Sequence, residues 1–381
     1  AWDRPWSPRR KPTECQRRSI MTVNESAVFS DPQAARGLVE RIARTSRRPV
    51  RLMEVCGTHT VSIFRSGIRS LLPPTISLLS GPGCPVCVTA QAEIDAFVAL
   101  AREPETIVAT FGDLVRVPGS GSSLQREKAA GADVRMVYST VDAVQLARDN
   151  PDHRVVFLGV GFETTAPTVA AAILTAQRQR LDNFFVMSAH KIVPPALQAL
   201  AAGKSNIDGF LLPGHVSVII GLKAYRPFFD AYRVPCVVTG FEPTDLLQGI
   251  VMLVDQVERR QPSLANGYPR AVSAAGNPKA MSVMHEVFTV VDADWRGLGT
   301  IAASGLAIRD AFAAFDAVKA LDLRLEPAPE PKGCACGEIL TGIKTPPQCP
   351  LYRTVCNPMA PVGPCMVSSE GTCSAYYRYH G

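Results

Sequence analysis

From about residue 50 the chain repeats one rhythm, and that rhythm restricts the fold more than any other feature. A short β-branched or apolar run ends in a cluster of Gly, Pro, Cys or His, and a helix-like stretch follows. The runs are Arg51–Val55, Ile76–Leu79, Thr106–Thr110, Val134–Tyr138, Val155–Leu158, Phe184–Met187, Phe210–Leu212 and Cys236–Thr239. Helix-like stretches at Ala90–Arg102, Val141–Asn150, Ala166–Arg180 and Pro195–Ala202 separate several of them. Strand–helix alternation at this spacing predicts parallel α/β sheet. Open sheets of that kind bind ligands just beyond the carboxyl ends of their strands.

What stands at those ends is unusual. In order they read Cys56-Gly-Thr-His59, Gly81-Pro-Gly-Cys84-Pro-Val-Cys87, Phe111-Gly-Asp113, Gly159-Val-Gly161-Phe-Glu163-Thr-Thr165, Ser188-Ala-His190, Pro213-Gly-His215-Val-Ser217 and Gly240-Phe-Glu242-Pro243. Loop positions carry function more often than core positions do, and ordinary connections are not rich in Cys and His. Cys84 and Cys87 form a C-x-x-C pair, a spacing that reaches disulfide geometry and activates the first thiol. It also suits half a zinc site, with Cys56 and His59 as the other half, or plain packing. Cys56 ends an apolar strand, where a lone thiol is often inert. The neighbouring Gly57 and His59 favour instead a turn with a base or ligand beside a low-pKa thiolate, open to oxidation. His190 and His215 share that ambiguity, and Cys236 reads as core. The Gly159-x-Gly161 pair lacks the third glycine of a dinucleotide fingerprint, since Thr164 occupies that place.

The last 48 residues hold six of the eleven cysteines. Cys336, Cys349, Cys356 and Cys373 stand in the pattern C-x12-C-x6-C-x16-C, and Cys334 and Cys365 fall outside it. Soft thiolates on a proline-broken segment are how proteins hold iron–sulfur clusters or zinc. A disulfide knot would need an oxidising compartment. No apolar signal region follows the basic start, so a cytoplasmic protein with a metal or cluster is expected. No apolar run of eighteen residues is present, and no membrane association is expected. The formal charge of +6 contains a surplus of four from residues 1–20. The rest shows no basic face for nucleic acid. Residues 1–20, with Cys15, read as a disordered extension ahead of Met21.

Taken together, the motifs resemble the HypD family of [NiFe]-hydrogenase maturation factors. The match rests on Met53-Glu-Val-Cys56-Gly-Thr-His59, Gly81-Pro-Gly-Cys84-Pro-Val-Cys87, Gly161-Phe-Glu-Thr-Thr165, Pro213-Gly-His215-Val-Ser217, Gly240-Phe-Glu-Pro243 and the four-cysteine tail. The resemblance implies two similar parallel-sheet α/β domains and a small loop-rich C-terminal domain with a [4Fe-4S] cluster. With the bounds expected here, these are residues 21–150, 151–320 and 321–381. It implies a scaffold on which an Fe(CN)2CO group is assembled with a HypC-type small chaperone, cyanide arriving from a HypE-type donor. By motif, Cys56 would bind the iron, with His59 beside it. Cys84 and Cys87 would be a redox pair, and Cys336, Cys349, Cys356 and Cys373 the cluster ligands. The alternatives are a stand-alone iron–sulfur thiol–disulfide reductase and an interaction protein with a zinc tail.

Overall fold

The computed structural model describes residues 31–203 and 205–380 of the chain. The extension expected at 1–20, with Cys15, lies outside the described residues. Eleven strands are found among them: β1 Val50–Glu54, β2 Ile76–Ser80, β3 Thr106–Thr110, β4 Asp133–Met136, β5 Arg154–Gly159, β6 Phe184–Ser188, β7 Gly209–Pro213, β8 Cys236–Thr239, β9 Leu264–Asn266, β10 Phe288–Trp295 and β11 Gly299–Ile308. All eight strand runs read from the sequence are strands, with ends shifted by a residue or two. Their apolar residues are continuous because parallel sheets are covered on both faces, and β3 and β7 are buried along their whole length.

The strands form two parallel sheets, ordered β2-β1-β7-β8-β9 and β4-β3-β5-β6, and an antiparallel pair β10-β11. The α/β class with two parallel sheets therefore holds. The domain boundary expected at residue 150 does not follow the sheets. It falls inside the four-stranded sheet, and β1 and β2 join β7–β9 across more than a hundred residues. The reason is pairing. β1 is an apolar central strand that needs two neighbours, and β7 takes its second edge at Leu52↔Gly209 through Glu54↔Leu211. Chain order alone does not disclose which later strand will fill an open edge.

The helix Pro243–Arg259 and the β10-β11 hairpin were not legible as elements. The helix has ten buried residues, including Leu246, Ile250 and Leu253, and covers the first sheet from the side of Leu211 and Val237. The tail beyond residue 320 holds only short helices, among them Cys336–Leu340, Pro364–Val367 and Thr372–Tyr379. It has little core of its own and packs onto the rest. Tyr376 meets Phe64 edge-on at 4.6 Å between ring centres, and Arg69 lies over both rings. No helix among the described residues is long and apolar enough to cross a membrane.

Candidate functional site

Cys56 stands just beyond β1 and caps the N-terminus of the helix Gly57–Arg65. β1 runs between β2 and β7, and the order of connection reverses there, the crevice where open sheets place ligands. The loop after β2 presses directly on this cap. A Cβ on Gly83 would lie 2.1 Å from the Cys56 nitrogen, so only glycine permits the approach, and Gly57 N–H donates to Gly83 O at 2.9 Å. Cys84 follows at once and caps the helix Pro85–Val88, its sulfur accepting from the Cys87 amide at 3.3 Å. The three thiols expected to act together are thus carried by adjoining loops, and all three are buried.

Glu54 ends β1 and reaches forward under the cap. Its Oε2 accepts from the Cys56 amide at 3.1 Å and its Oε1 from the Thr60 hydroxyl. Burial pushes its pKa up to about 7, against the opposing hydrogen bonds. Burial likewise pushes the Cys56 thiol up to about 12, although the amides of His59 and Thr58 favour the thiolate. The low-pKa thiolate expected from the motif is therefore not present in the isolated side chain. The motif supplies helix amides, but tertiary burial outweighs them, and a metal cation would have to displace the proton.

His59 contributes to Cys56 through its backbone amide. Its ring is fully buried 5.0 Å from Phe241, and burial lowers its pKa to about 3. Phe241 also stacks on His215 at 3.8 Å. His190 is buried too, its Nδ1 3.0 Å from Ser188 Oγ. Glu163 is buried with Oε1 accepting from Val193 N–H at 3.0 Å and Oε2 unpartnered, and burial raises its pKa to about 7. Thr165 caps the helix Ala166–Gln179 by position, while its hydroxyl donates back to Phe162 O. Cys236 is wholly buried in the core.

The tail brings a second group of thiols onto the first. Cys336 Sγ lies 3.3 Å from Cys365 Sγ, well beyond the roughly 2.05 Å of a disulfide, so they are two thiols in contact. Cys365 also bonds Cys87, and these two donors hold its pKa below the usual thiol range. Cys334 is hydrogen-bonded to Cys336, and Cys373 lies within electrostatic range of Cys336, Cys334, Cys356 and Cys349. A continuous run of sulfurs therefore leads from Cys84 and Cys87 through Cys365 to Cys336 and the remaining tail cysteines. The spacing in the sequence omitted Cys334 and Cys365, and the fold includes both. Among the described residues no three His, Cys, Asp or Glu side chains converge on one point as a single metal ion would require.

The tail is fastened to both sheets at their carboxyl ends. Thr58 Oγ1 donates to Glu370 Oε1 at 2.6 Å, and Ser368 Oγ donates to Asp113 Oδ2 at 2.9 Å. Glu54 and Glu370 escaped the sequence reading as site residues. Glu54 left a signal, since it is a lone carboxylate inside an apolar strand, and Glu370 left none.

Fold and site together define an α/β protein whose two sheets and cysteine-rich tail meet at a buried thiol junction. The family model HypD, described as hydrogenase formation hypA family, matches residues 33–380. The chain is 47% identical over 361 residues to the hydrogenase maturation factor HypD of Azotobacter vinelandii, covering 92% of this chain and 95% of that protein. It is 46% identical over 366 residues to the namesake of Rhodobacter capsulatus, covering 93% and 97%. The Escherichia coli K12 protein of that name is 46% identical over 345 residues, covering 89% and 91%. The chain belongs to the HypD family.

Proposed function

We propose that this chain is a hydrogenase maturation factor. It acts as a redox-active scaffold that holds iron, as cargo, on Cys56 while the Fe(CN)2CO group is built. A HypC-type chaperone would share that iron, and a HypE-type protein would deliver cyanide. The observation that carries the reading is the buried sulfur run that starts beside Cys56 and ends in the tail.

The tail's donor chemistry fits a [4Fe-4S] cluster. It gathers buried and half-buried soft sulfurs, and in such clusters each thiolate takes a different iron corner, so the sulfurs surround the group without converging on one point. A single zinc would need its donors about 2.3 Å from one centre, an arrangement not found among the described residues. Spacing points to Cys336, Cys349, Cys356 and Cys373 as ligands. The contact of Cys336 with Cys365 favours a second set in which Cys334 replaces Cys336. When bound, the cluster supplies single electrons.

The chain's own residues divide the remaining work. Cys84 and Cys87 sit against the Cys56 loop and can pass between dithiol and disulfide. The thiolate of Cys365 is placed to attack a Cys84–Cys87 disulfide at Cys87, giving a mixed disulfide and releasing Cys84 as a thiolate that takes a proton. Attack by Cys336 on Cys365 then frees Cys87 and leaves a Cys336–Cys365 disulfide, so two electrons have moved inward. Glu54 holds the Cys56 amide and fixes the cap. Burial keeps water from a cyanide-bearing iron. The test is Cys56→Ala co-purified anaerobically with a HypC-type partner. Cluster absorbance and circular dichroism should persist while infrared bands from CN and CO disappear. Bands persisting in that variant would move the iron elsewhere, and their absence from the wild-type complex would favour a stand-alone thiol–disulfide reductase.

A further inference from the structure

Among the described residues Arg296 is the one buried arginine, and the chemistry so far leaves it unused. It sits in the turn between β10 and β11 and is 2% exposed. Its Nε donates to Thr89 O and its Nη1 to Gln91 Oε1, both at 2.9 Å, while its Nη2 is buried without a partner. No carboxylate of a described residue lies within ion-pair distance of it. Glu330 reaches the same turn but bonds the Gly297 amide instead. A buried guanidinium held by neutral acceptors alone is costly, and proteins keep such charges where an anion balances them.

The neighbours indicate which anion. Arg296 N–H donates to Val88 O, the last residue of the helix that carries Cys87. On its other side Gly297, at φ +74°, rests on Gly337, where a Cβ would come within 2.2 Å of the Gly337 Cα. That contact sets the turn against Cys336 and its helix. The Arg296 charge lies within electrostatic range of the sulfurs of Cys336 and Cys334. Arg296 therefore lies where the Cys84–Cys87 helix and the tail's first two cysteines meet. A purely structural tether would need only its backbone bond to Val88.

We propose that Arg296 is the built-in counter-charge of the tail's sulfur centre, a fixed cation that stabilises the electron this centre accepts and so raises its reduction potential. This rests on the reading of the tail as a cluster site. Arg296 acts through the sulfurs and is a positioning charge, touching no iron.

The test uses the full chain purified anaerobically, with iron content and visible absorbance measured first. The cluster potential is then titrated with dithionite under electron paramagnetic resonance in wild type, Arg296→Gln, Arg296→Lys and Gln91→Glu. Gln91→Glu neutralises the charge in place and keeps an acceptor for Nη1, so it tests the idea even if Arg296→Gln fails to fold. At the wild-type midpoint, Arg296→Gln and Gln91→Glu should each lower the reduced-to-oxidised ratio about tenfold or more, equal to about 59 mV for one electron. Arg296→Lys should stay within about threefold of wild type. Unchanged potentials in Gln91→Glu, or an equal shift in Arg296→Lys and Arg296→Gln, would overturn the counter-charge. A wild-type chain without iron would overturn the cluster reading beneath it, and the two failures are told apart by the iron assay.

Discussion

Replacing Glu163 by Gln should remove one buried carboxyl's share of the stability that the native chain loses as pH rises. The Glu163 carboxyl is 2% exposed, with one oxygen bonded to the Val193 amide and the other unpartnered. Burial raises its pKa from 4.5 to about 7. A carboxyl that holds its proton more tightly in the folded chain stabilises the fold fully below pH 4.5. That advantage is lost as pH rises through 7. At 1.36 kcal/mol per pH unit, a rise from 4.5 to about 7 amounts to roughly 3 kcal/mol. Gln resembles the protonated carboxyl in shape and keeps an acceptor for Val193. The variant should therefore match wild type near pH 4.5 and exceed it by roughly 3 kcal/mol at pH 8. Urea unfolding of both proteins at four pH values between 4.5 and 8 measures the difference. Other buried groups, such as His59 and His190, cancel because both proteins share them. A difference that does not change with pH, or a wild type that gains on the variant as pH rises, would refute the reasoning.

Single serine variants of the tail cysteines should separate the two ligand sets by iron assay. Loss of iron from Cys334→Ser with retention in Cys336→Ser supports the set favoured by the Cys336–Cys365 contact, and the reverse supports the spacing in the sequence. Mild oxidation of the apo chain should give two linked pairs, Cys84 with Cys87 and Cys336 with Cys365. Each would make its peptide or peptide pair lighter by two hydrogen atoms, and thiols that all remain alkylatable would exclude the relay. Glu370→Ala should cost about 1–3 kcal/mol by stranding the half-buried Thr58 hydroxyl. Faster proteolysis of the tail than of the sheets would show that this bond fastens it. Gly83→Ala should destabilise the junction severely, because the new methyl would meet backbone atoms of Cys56 that have no room to retreat. A variant with unchanged melting temperature would mean that the two loops are not pressed together.

Strand positions were readable in the order of residues because a covered parallel strand needs an unbroken apolar run and its end needs a turn. Runs such as Thr106–Thr110 and Cys236–Thr239 are strands over those same residues. Local motif spacing likewise disclosed that Cys56, Cys84 and Cys87 stand on loops after successive strands. What lay beyond reach depended on partners far along the chain. The pairing of β1 with β7 joins residues more than a hundred apart, and no local pattern records it. The same holds for Cys365, which spacing left aside and which the fold sets between Cys87 and Cys336. Arg296, in the turn between β10 and β11, leaves no signal in the sequence, since its burial comes from the helix of Cys87 and the tail packing against that turn. Acidity was likewise decided in three dimensions. Gly57 and His59 beside Cys56 predict a low-pKa thiolate, while desolvation, which depends on everything packed around it, turns that prediction over.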